Sequence, residues 1–166
     1  DDLQPTITIV NTSNNVTEGN AGTKQVPITL TLSNASLYPI TVTFLTADGT
    51  ALSGSDYVTQ TGNSVFAAGE ITKTINIEIS GDILTEPDET FTVQFALAAN
   101  VSATLSSNTT NITIFNDDGP PALSINNVSM AEGNSGTTNM VFTIMLGGNT
   151  SLPVTATYAT SDNTAT

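Results

Sequence analysis

The sequence contains one motif twice, at a constant spacing of 114 residues. Residues Thr17–Thr23 (TEGNAGT) return as Ala131–Thr137 (AEGNSGT), and the same offset carries Pro39–Phe44 onto Pro153–Tyr158. Matches that share one offset indicate tandem repeats, in which each repeat folds as one unit and packs against its neighbours. The 166 residues therefore have room for one complete domain of about 115 residues and the first part of another.

A second match suggests where the repeats begin and end. The opening residues Asp1–Pro5 resemble Asp117–Pro121, which follow the first repeat. We therefore expect residues 1–2 to be the tail of a preceding repeat, residues 3–118 to be a complete domain, and residues 119–166 to be the N-terminal part of a second copy. The parent protein is expected to extend beyond both ends.

Apolar and polar residues alternate along most of the chain, and no stretch shows a helical stripe. Val26–Leu32, Ile40–Phe44 and Phe91–Leu97 each place apolar side chains on one face, which is the pattern of half-buried strands. About seven such strands, separated by Gly, Asn, Asp and Ser clusters, predict an all-β fold, a seven-stranded antiparallel immunoglobulin-like sandwich. Pro27 has no amide to donate, so its strand is expected to be an edge strand or to bulge there.

The charge balance favours one class of partner over another. The chain has 15 acidic residues, two Lys, no Arg and no His, and its formal net charge is −13. Nucleic acids and anionic membrane surfaces require clustered cations, so we expect no nucleic-acid binding, and cations are the expected partners. No apolar run reaches the length of a membrane span, so direct membrane insertion is not expected. Without Cys or His there is no activated nucleophile, and we do not expect an enzyme.

The densest charge lies in Gly81–Phe91, between two predicted strands, and a second acidic group, Asn116–Asp118, ends the last strand of the repeat. A solvated acidic loop is the simplest interpretation of the first group alone. In a seven-stranded sandwich, however, both groups can lie at one pole. Two carboxylates 5 Å apart repel by roughly 3 kcal/mol at an effective dielectric constant near 20. With no nearby Lys or Arg, a divalent cation would resolve this conflict, and flexible oxygen donors favour Ca²⁺ over Zn²⁺, copper or Mg²⁺.

Five segments together resemble the Calx-beta domain family: Thr17–Asn20, Asp48–Tyr57, Phe66–Glu70, Gly81–Phe91 and Asn116–Asp118. The resemblance spans the whole first repeat, whereas the second repeat shows only the early motifs. It implies a seven-stranded sandwich of a kind found in pairs in sodium/calcium exchangers, where it senses cytosolic Ca²⁺, and in long tandem arrays in bacterial-type surface proteins.

The resemblance also implies a set of Ca²⁺ ligands. Carried over residue by residue, these are the carboxylates of Glu18, Asp56, Asp82, Glu86, Glu89, Asp117 and Asp118, the carbonyl of Leu84 and the side-chain amide of Asn116. Well-liganded members carry acidic residues where this chain has Gly81 and Asn116, so fewer or more weakly bound ions are expected. Glu18 and Asp56 each have an alternative role in a local turn, and Asp48 is expected to serve a turn rather than a metal.

Three functional hypotheses follow. The first is a Ca²⁺-binding structural or adhesive module of a tandem-repeat protein that is secreted or on the cell surface, with Ca²⁺ stiffening the interdomain junction. Its expected partners are neighbouring repeats, other copies of itself or a cell-surface ligand. The second is a filament subunit, because the apolar positions of the partial second repeat lack the rest of a core and could be completed by strands from a neighbouring chain. The third is a cytosolic Ca²⁺-sensing domain of an exchanger.

Overall fold

The structure, a computed structural model, describes residues 3–10, 15–99 and 101–163, in which every regular element is a β-strand. Asp1 and Asp2, the predicted tail of a preceding repeat, lie outside the described residues. The chain divides into two compact units, the first comprising residues 1–83 and 87–118 and the second residues 84–86 and 119–166. Among the described residues, no helix is long and apolar enough to cross a membrane.

The first unit is a sandwich of two sheets. Its strands are β1 (Thr6–Val10), β2 (Asn15–Thr17), β3 (Thr23–Leu32), β4 (Ile40–Ala47), β5 (Thr61–Phe66), β6 (Thr72–Ser80), β8 (Glu89–Leu97), β9 (Thr104–Leu105) and β10 (Thr109–Phe115). One sheet has the order β6-β3-β1-β9 and the other β2-β10-β8-β4-β5. The pairs β1–β9 and β2–β10 are parallel and the remaining pairs are antiparallel.

The predicted all-β, immunoglobulin-like sandwich is confirmed. The seven longer strands correspond to the seven that the alternation predicts, and the short strands β2 and β9 are additions. Val65 and Phe66 end strand β5. Tyr57 lies outside the named strands and forms an isolated antiparallel bridge with Ile79.

The apolar residues that alternate along the strands form the buried core. Val26, Ile28 and Leu30 of β3 are buried, as are Phe91 and Val93 of β8, because successive side chains of a strand point to opposite faces. Each fully buried side chain of this size contributes roughly 1.5–3 kcal/mol through the hydrophobic effect.

The strand that contains Pro27 is neither an edge strand along its length nor bulged in the pairing with β6. It lies between β6 and β1, and Pro27 pairs with Asn76 of β6. Among the described residues, the pairing of β3 with β1 ends at Thr29.

The second unit contains β7 (Leu84–Thr85), β11 (Ala122–Ile125), β12 (Ile144–Gly147) and β13 (Asn149–Thr150). β11 and β12 pair antiparallel, and β13 pairs in parallel with β7. Large apolar side chains of this unit are exposed, among them Phe142, Leu146 and Tyr158.

Candidate metal centre

Both acidic segments of the first repeat lie at the end of the sandwich where β8 begins and β10 ends. In the sheet register Ile114 is opposite Glu89, and Phe115 is opposite Thr17. The backbone amide of Asn116 donates a hydrogen bond of 3.2 Å to Asp88 Oδ1. The end of β10 is therefore fastened to the start of β8, which brings the two groups to one pole.

Three of the carboxylates converge closely there. Asp56, Glu86 and Glu89 each offer a carboxylate oxygen, and these oxygens lie within 4.8 Å of one another. Asp56 is buried and the two Glu side chains are half-buried. Glu18, Asp82, Asp117 and Asp118 are outside this group. The ligand roles of the whole set remain predictions. The structure shows which of these carboxylates lie close together.

Asp56 is held in place by its own loop. Its Oδ2 accepts a hydrogen bond of 2.6 Å from Leu52 N, and its backbone amide donates to Leu52 O at 3.0 Å. Its carbonyl oxygen accepts from Ser80 N at 2.9 Å. The alternative role of Asp56 in a local turn is therefore real. It is also compatible with a position in the acidic cluster, because a carboxylate has two oxygens, each with more than one lone pair.

Asp48 organises the same loop. Its Oδ1 accepts hydrogen bonds from Ser53 N, at 2.9 Å, and from the hydroxyl of Tyr57. The bond from Tyr57 holds the pKa of Asp48 below its usual value, while burial and the neighbouring carboxylate raise the pKa of Tyr57 to about 12. The Tyr57 ring also stacks on Phe91, with 4.0 Å between ring centroids. Asp48 thus serves the turn, and it ties the Asp56 loop to the core.

A second arrangement of acidic groups surrounds the end of β10. Asp117 Oδ1 accepts from Gly19 N at 2.8 Å, and Asp118 Oδ1 accepts from Asn20 Nδ2 at 2.7 Å. Asn116 directs its amide nitrogen to the Asp118 carbonyl, at 2.9 Å. The second carboxylate oxygen of Asp118, Oδ2, is buried with no hydrogen-bond partner among the described residues. A buried oxygen of this kind is costly unless a donor or a cation completes it.

The backbone of this chain leaves no room for a side chain at Gly81, where the resemblance implies an acidic residue in well-liganded members. A Cβ at this position would lie 2.1 Å from Gly19 O and 2.8 Å from Glu18 O. Glu18 is itself buried, and its amide donates to Phe115 O at 3.2 Å. The backbone of 18–19 therefore fills the space that any side chain at position 81 would need. Asp82 next to it is half-buried, and Leu84 lies in β7 of the second unit.

Lys24 corrects the expectation that no Lys or Arg lies near the acidic pole. Its Nζ donates a hydrogen bond of 2.7 Å to Thr17 O, directly before Glu18. The same atom is 2.9 Å from the position that a Cβ of Gly19 would take. Sequence reasoning missed this contact, although a turn between Glu18 and Lys24, rich in Gly and Asn, was a usable signal.

The donor set fits a hard divalent cation. Every candidate ligand atom is an oxygen, and Ca²⁺ accepts six to eight oxygen ligands in flexible geometry. Two unit charges at the 4.8 Å limit of the cluster repel by about 3 kcal/mol at an effective dielectric constant near 20. The three converging carboxylates and the unpartnered Asp118 Oδ2 thus form two places at this pole where positive charge would be stabilising.

Comparison with known proteins identifies the family. The family description "Calx-beta domain" matches residues 1–118. The chain belongs to the Calx-beta domain family. The resemblance drawn from the sequence motifs is thereby confirmed.

Calx-beta relatives include sodium/calcium exchanger 1 of Cavia porcellus and of Felis catus, each 39% identical over 94 residues. The match covers 46% of this chain and 10% of each exchanger, so it concerns one segment of much longer proteins. Sodium/calcium exchanger 1 of Canis lupus familiaris is 38% identical over the same length.

Solved structures of Calx-beta relatives have the same fold. The apo-form Calx CBD1 domain superposes with a TM-score of 0.57 and 24% identity, over 69% of this chain and 98% of that one. CBD12 from CALX1.2 gives a TM-score of 0.60 with 23% identity, over 68% of this chain and 46% of that chain. The calcium binding domain CBD12 of CALX1.1 gives 0.57 with 26% identity, covering 68% and 44%.

Proposed function

We propose that this chain is a Ca²⁺-binding structural module of a tandem Calx-beta protein that is secreted or on the cell surface. The observation that carries the proposal is the convergence of Asp56, Glu86 and Glu89 within 4.8 Å. Membership of the Calx-beta family supports it, as does the likeness to CBD12 of CALX1.1, which is a calcium binding domain. The protein acts by binding rather than by catalysis.

In this proposal the carboxylates of Asp56, Glu86 and Glu89 hold one Ca²⁺, and Asp118 Oδ2 offers a further oxygen for a second ion. The bound ion supplies two positive charges that offset the repulsion among the ligands. The protein's own contribution is preorganisation. The bonds to Leu52 N and Ser80 N hold Asp56 in place before an ion arrives, so little ordering remains to oppose binding.

The mechanical role follows from chain position. Glu86 directly follows Thr85, whose carbonyl accepts hydrogen bonds within the second unit. Asp118 directly precedes Gly119 and Pro120, which begin the linker. One cation that fixes Glu86 and a second that fixes Asp118 would restrict both segments of chain that lead into the second unit. We propose that Ca²⁺ stiffens a tandem array in this way, with neighbouring Calx-beta repeats as the immediate partners.

Calorimetric titration and thermal unfolding test the proposal. Extracellular modules bind Ca²⁺ with dissociation constants of roughly 10⁻⁴ to 10⁻³ M. At 100 times the dissociation constant, Ca²⁺ should stabilise the fold by about 2.7 kcal/mol relative to EGTA. Mg²⁺ at the same concentration should stabilise much less. A melting temperature that is the same in Ca²⁺ and in EGTA, with no heat of binding, would refute the proposal.

Exchanger relatives favour a second candidate function, a cytosolic Ca²⁺ sensor. The matched segment is 38–39% identical to sodium/calcium exchanger 1 of several mammals. A regulatory sensor requires a dissociation constant in the range of about 10⁻⁷ to 10⁻⁵ M. The same titration therefore separates the two candidates, since micromolar affinity would support the sensor and submillimolar affinity the structural module.

A further inference from the structure

Strand β7 belongs to the acidic segment Gly81–Phe91 of the first repeat, here called the acidic loop, and it makes specific contacts within the second unit. β7 pairs in parallel with β13, with Leu84 opposite Asn149 and Thr85 opposite Thr150. Thr85 O accepts hydrogen bonds from Ser151 N and from Thr150 Oγ1, both at 3.2 Å, and a longer one of 3.4 Å from Ser151 Oγ. The two shorter bonds are enough to satisfy a carbonyl oxygen, which has two lone pairs, so the loop that follows β12 is a receptor for an extended Leu-Thr strand.

The repeat offset identifies the matching loop of the first unit. A shift of 114 residues places Asn149–Leu152 on Ala35–Tyr38. Both loops contain the same local turn, since Leu152 N donates to Thr150 Oγ1 at 2.9 Å and Tyr38 N donates to Ser36 Oγ at 3.1 Å. The first unit therefore presents a receptor loop of the same construction.

Among the described residues, no strand pairs with this first receptor loop. The Leu37 amide, the counterpart of the Ser151 amide, donates no hydrogen bond within the part of the chain that the structure describes. The side chains of Leu3, Leu37 and Tyr38 are 83%, 77% and 78% exposed. Together with Pro5 they line an open cleft of about 430 Å³. Three large apolar side chains exposed side by side are typical of an interaction surface.

We propose that Leu3 and the loop Ser33–Pro39, here called the docking face, bind the acidic-loop strand of another Calx-beta repeat that precedes this one in a tandem array. The proposal rests on the tandem arrangement of the proposed function but does not require Ca²⁺. The carbonyl of the incoming residue equivalent to Thr85 accepts from Leu37 N and from Ser36 Oγ. Ser36 Oγ can donate while it accepts from Tyr38 N, as Thr150 Oγ1 does in the second unit.

Two differences between the loops agree with this role. Leu37 and Tyr38 stand where the second unit has Ser151 and Leu152, so the docking face offers more apolar surface to cover the strand. Leu3 O already accepts from Asn34 Nδ2 at 3.0 Å. A carbonyl has two lone pairs, so this oxygen can also accept from a threonine hydroxyl, as Gly119 O accepts from Thr85 Oγ1.

Amide hydrogen exchange in a longer chain tests the proposal. Residues 1–118 are joined directly to residues 3–166, so that Asp118 precedes Leu3 as it naturally precedes Gly119. This places a free acidic-loop strand beside the docking face at an effective concentration of roughly millimolar. The Leu37 amide of the second copy should exchange about tenfold more slowly, or slower still, than in the original chain. The Ser151 amide should be protected in both chains.

Two variants sharpen the result, each compared in the joined and the original chain. Ser36→Ala removes the hydroxyl donor and should reduce the protection ratio of Leu37. Leu37→Ser keeps the amide and adds the hydroxyl that Ser151 directs at Thr85 O, so it should retain or raise the ratio. Equal exchange of the Leu37 amide in both chains, with Ser151 protected, would overturn the proposal. Protection that appears only at high concentration of the original chain would also overturn it, in favour of a second copy in trans. Because the contact uses the Leu37 amide and the Ser36 hydroxyl and no carboxylate, measurements in EGTA remain decisive even if Ca²⁺ titration fails.

Discussion

Replacing Glu89 by Gln should change the stability of the protein in opposite directions with and without Ca²⁺. The substitution keeps the size of the side chain and removes one of the three charges that lie within 4.8 Å of one another. Without an ion, the change relieves repulsion with Asp56 and Glu86. With Ca²⁺, the same change removes a charged ligand. A purely solvated acidic loop would show neither effect of this size.

The magnitude follows from the geometry. Each of the two relieved pairs lies within 4.8 Å, and at that limit it is worth about 3 kcal/mol at an effective dielectric constant near 20. Because Glu86 and Glu89 are only half-buried, solvent screening reduces the total gain in EGTA to roughly 1–2 kcal/mol. In Ca²⁺ the loss of one ligand should weaken binding about tenfold or more, which lowers the stabilisation by roughly 1.4 kcal/mol at a saturating concentration.

Urea unfolding, followed in EGTA and in saturating Ca²⁺, measures both terms. Glu78→Gln is the matched control, since Glu78 is equally half-buried but lies on β6, where it accepts from Gln25 Nε2 at 3.2 Å. Glu89→Gln should raise the free energy of unfolding in EGTA and reduce the increment from Ca²⁺, whereas the control should leave the increment unchanged. If Glu89→Gln leaves the full Ca²⁺ increment, the acidic cluster is not the binding site.

Three further outcomes are expected. Because the pKa of Tyr57 is about 12 in the fold and 10.0 without it, its contribution to stability is complete below pH 10 and is lost as the pH rises from 10 to 12. Tyrosinate absorbance should therefore show a late-titrating phenol that Tyr57→Phe removes. The same substitution should raise the pKa of Asp48, because it removes the hydrogen bond that lowers it. Gly81→Ala should lower the free energy of unfolding by about 2 kcal/mol or more, because the new Cβ would meet Gly19 O at 2.1 Å. Lys24→Gln should tighten Ca²⁺ binding about two- to fivefold at low salt and less at high salt, since it removes a cation beside the acidic pole.

Each of these outcomes has a matched control within the chain. Tyr38→Phe removes an exposed phenol and should leave the late titration unchanged. Gly119→Ala adds a Cβ that meets nothing within 4 Å and should have little effect on unfolding. Lys73→Gln removes the lysine that pairs with Glu70 at 2.8 Å and should not alter Ca²⁺ affinity. A control that matched its test variant would contradict the local explanation given for that variant.

The strands could be predicted from the sequence because the period of two is a local property. Val26–Leu32 and Phe91–Leu97 alternate whatever they pair with, and the apolar side chains at alternate positions are buried from Val26 to Leu32 and from Phe91 to Phe95, while Leu97 is partly buried. The short strands β2 and β9 could not be predicted, because two or three residues carry no period and depend on a neighbouring edge.

The acidic pole was only partly predictable. The sequence indicates which residues can bind a cation and which two segments contain most of them, since the side-chain type and the spacing of each residue can be taken directly from the sequence. It does not say that Asp56, Glu86 and Glu89 converge while Asp117 and Asp118 bond to 19–20. Those distances depend on the register between strands that are far apart in the chain, and a shift of one residue would turn each side chain to the other face.

The amino-acid sequence by itself thus determined the all-β class, the buried faces and the 114-residue repeat, because each is a pattern between near neighbours or identical copies. Tertiary structure alone decided that Lys24 lies beside Thr17, that position 81 has no room for a side chain, and that β7 pairs within the second unit. Each of these is a contact between segments whose meeting is settled only when the two sheets and their loops pack together.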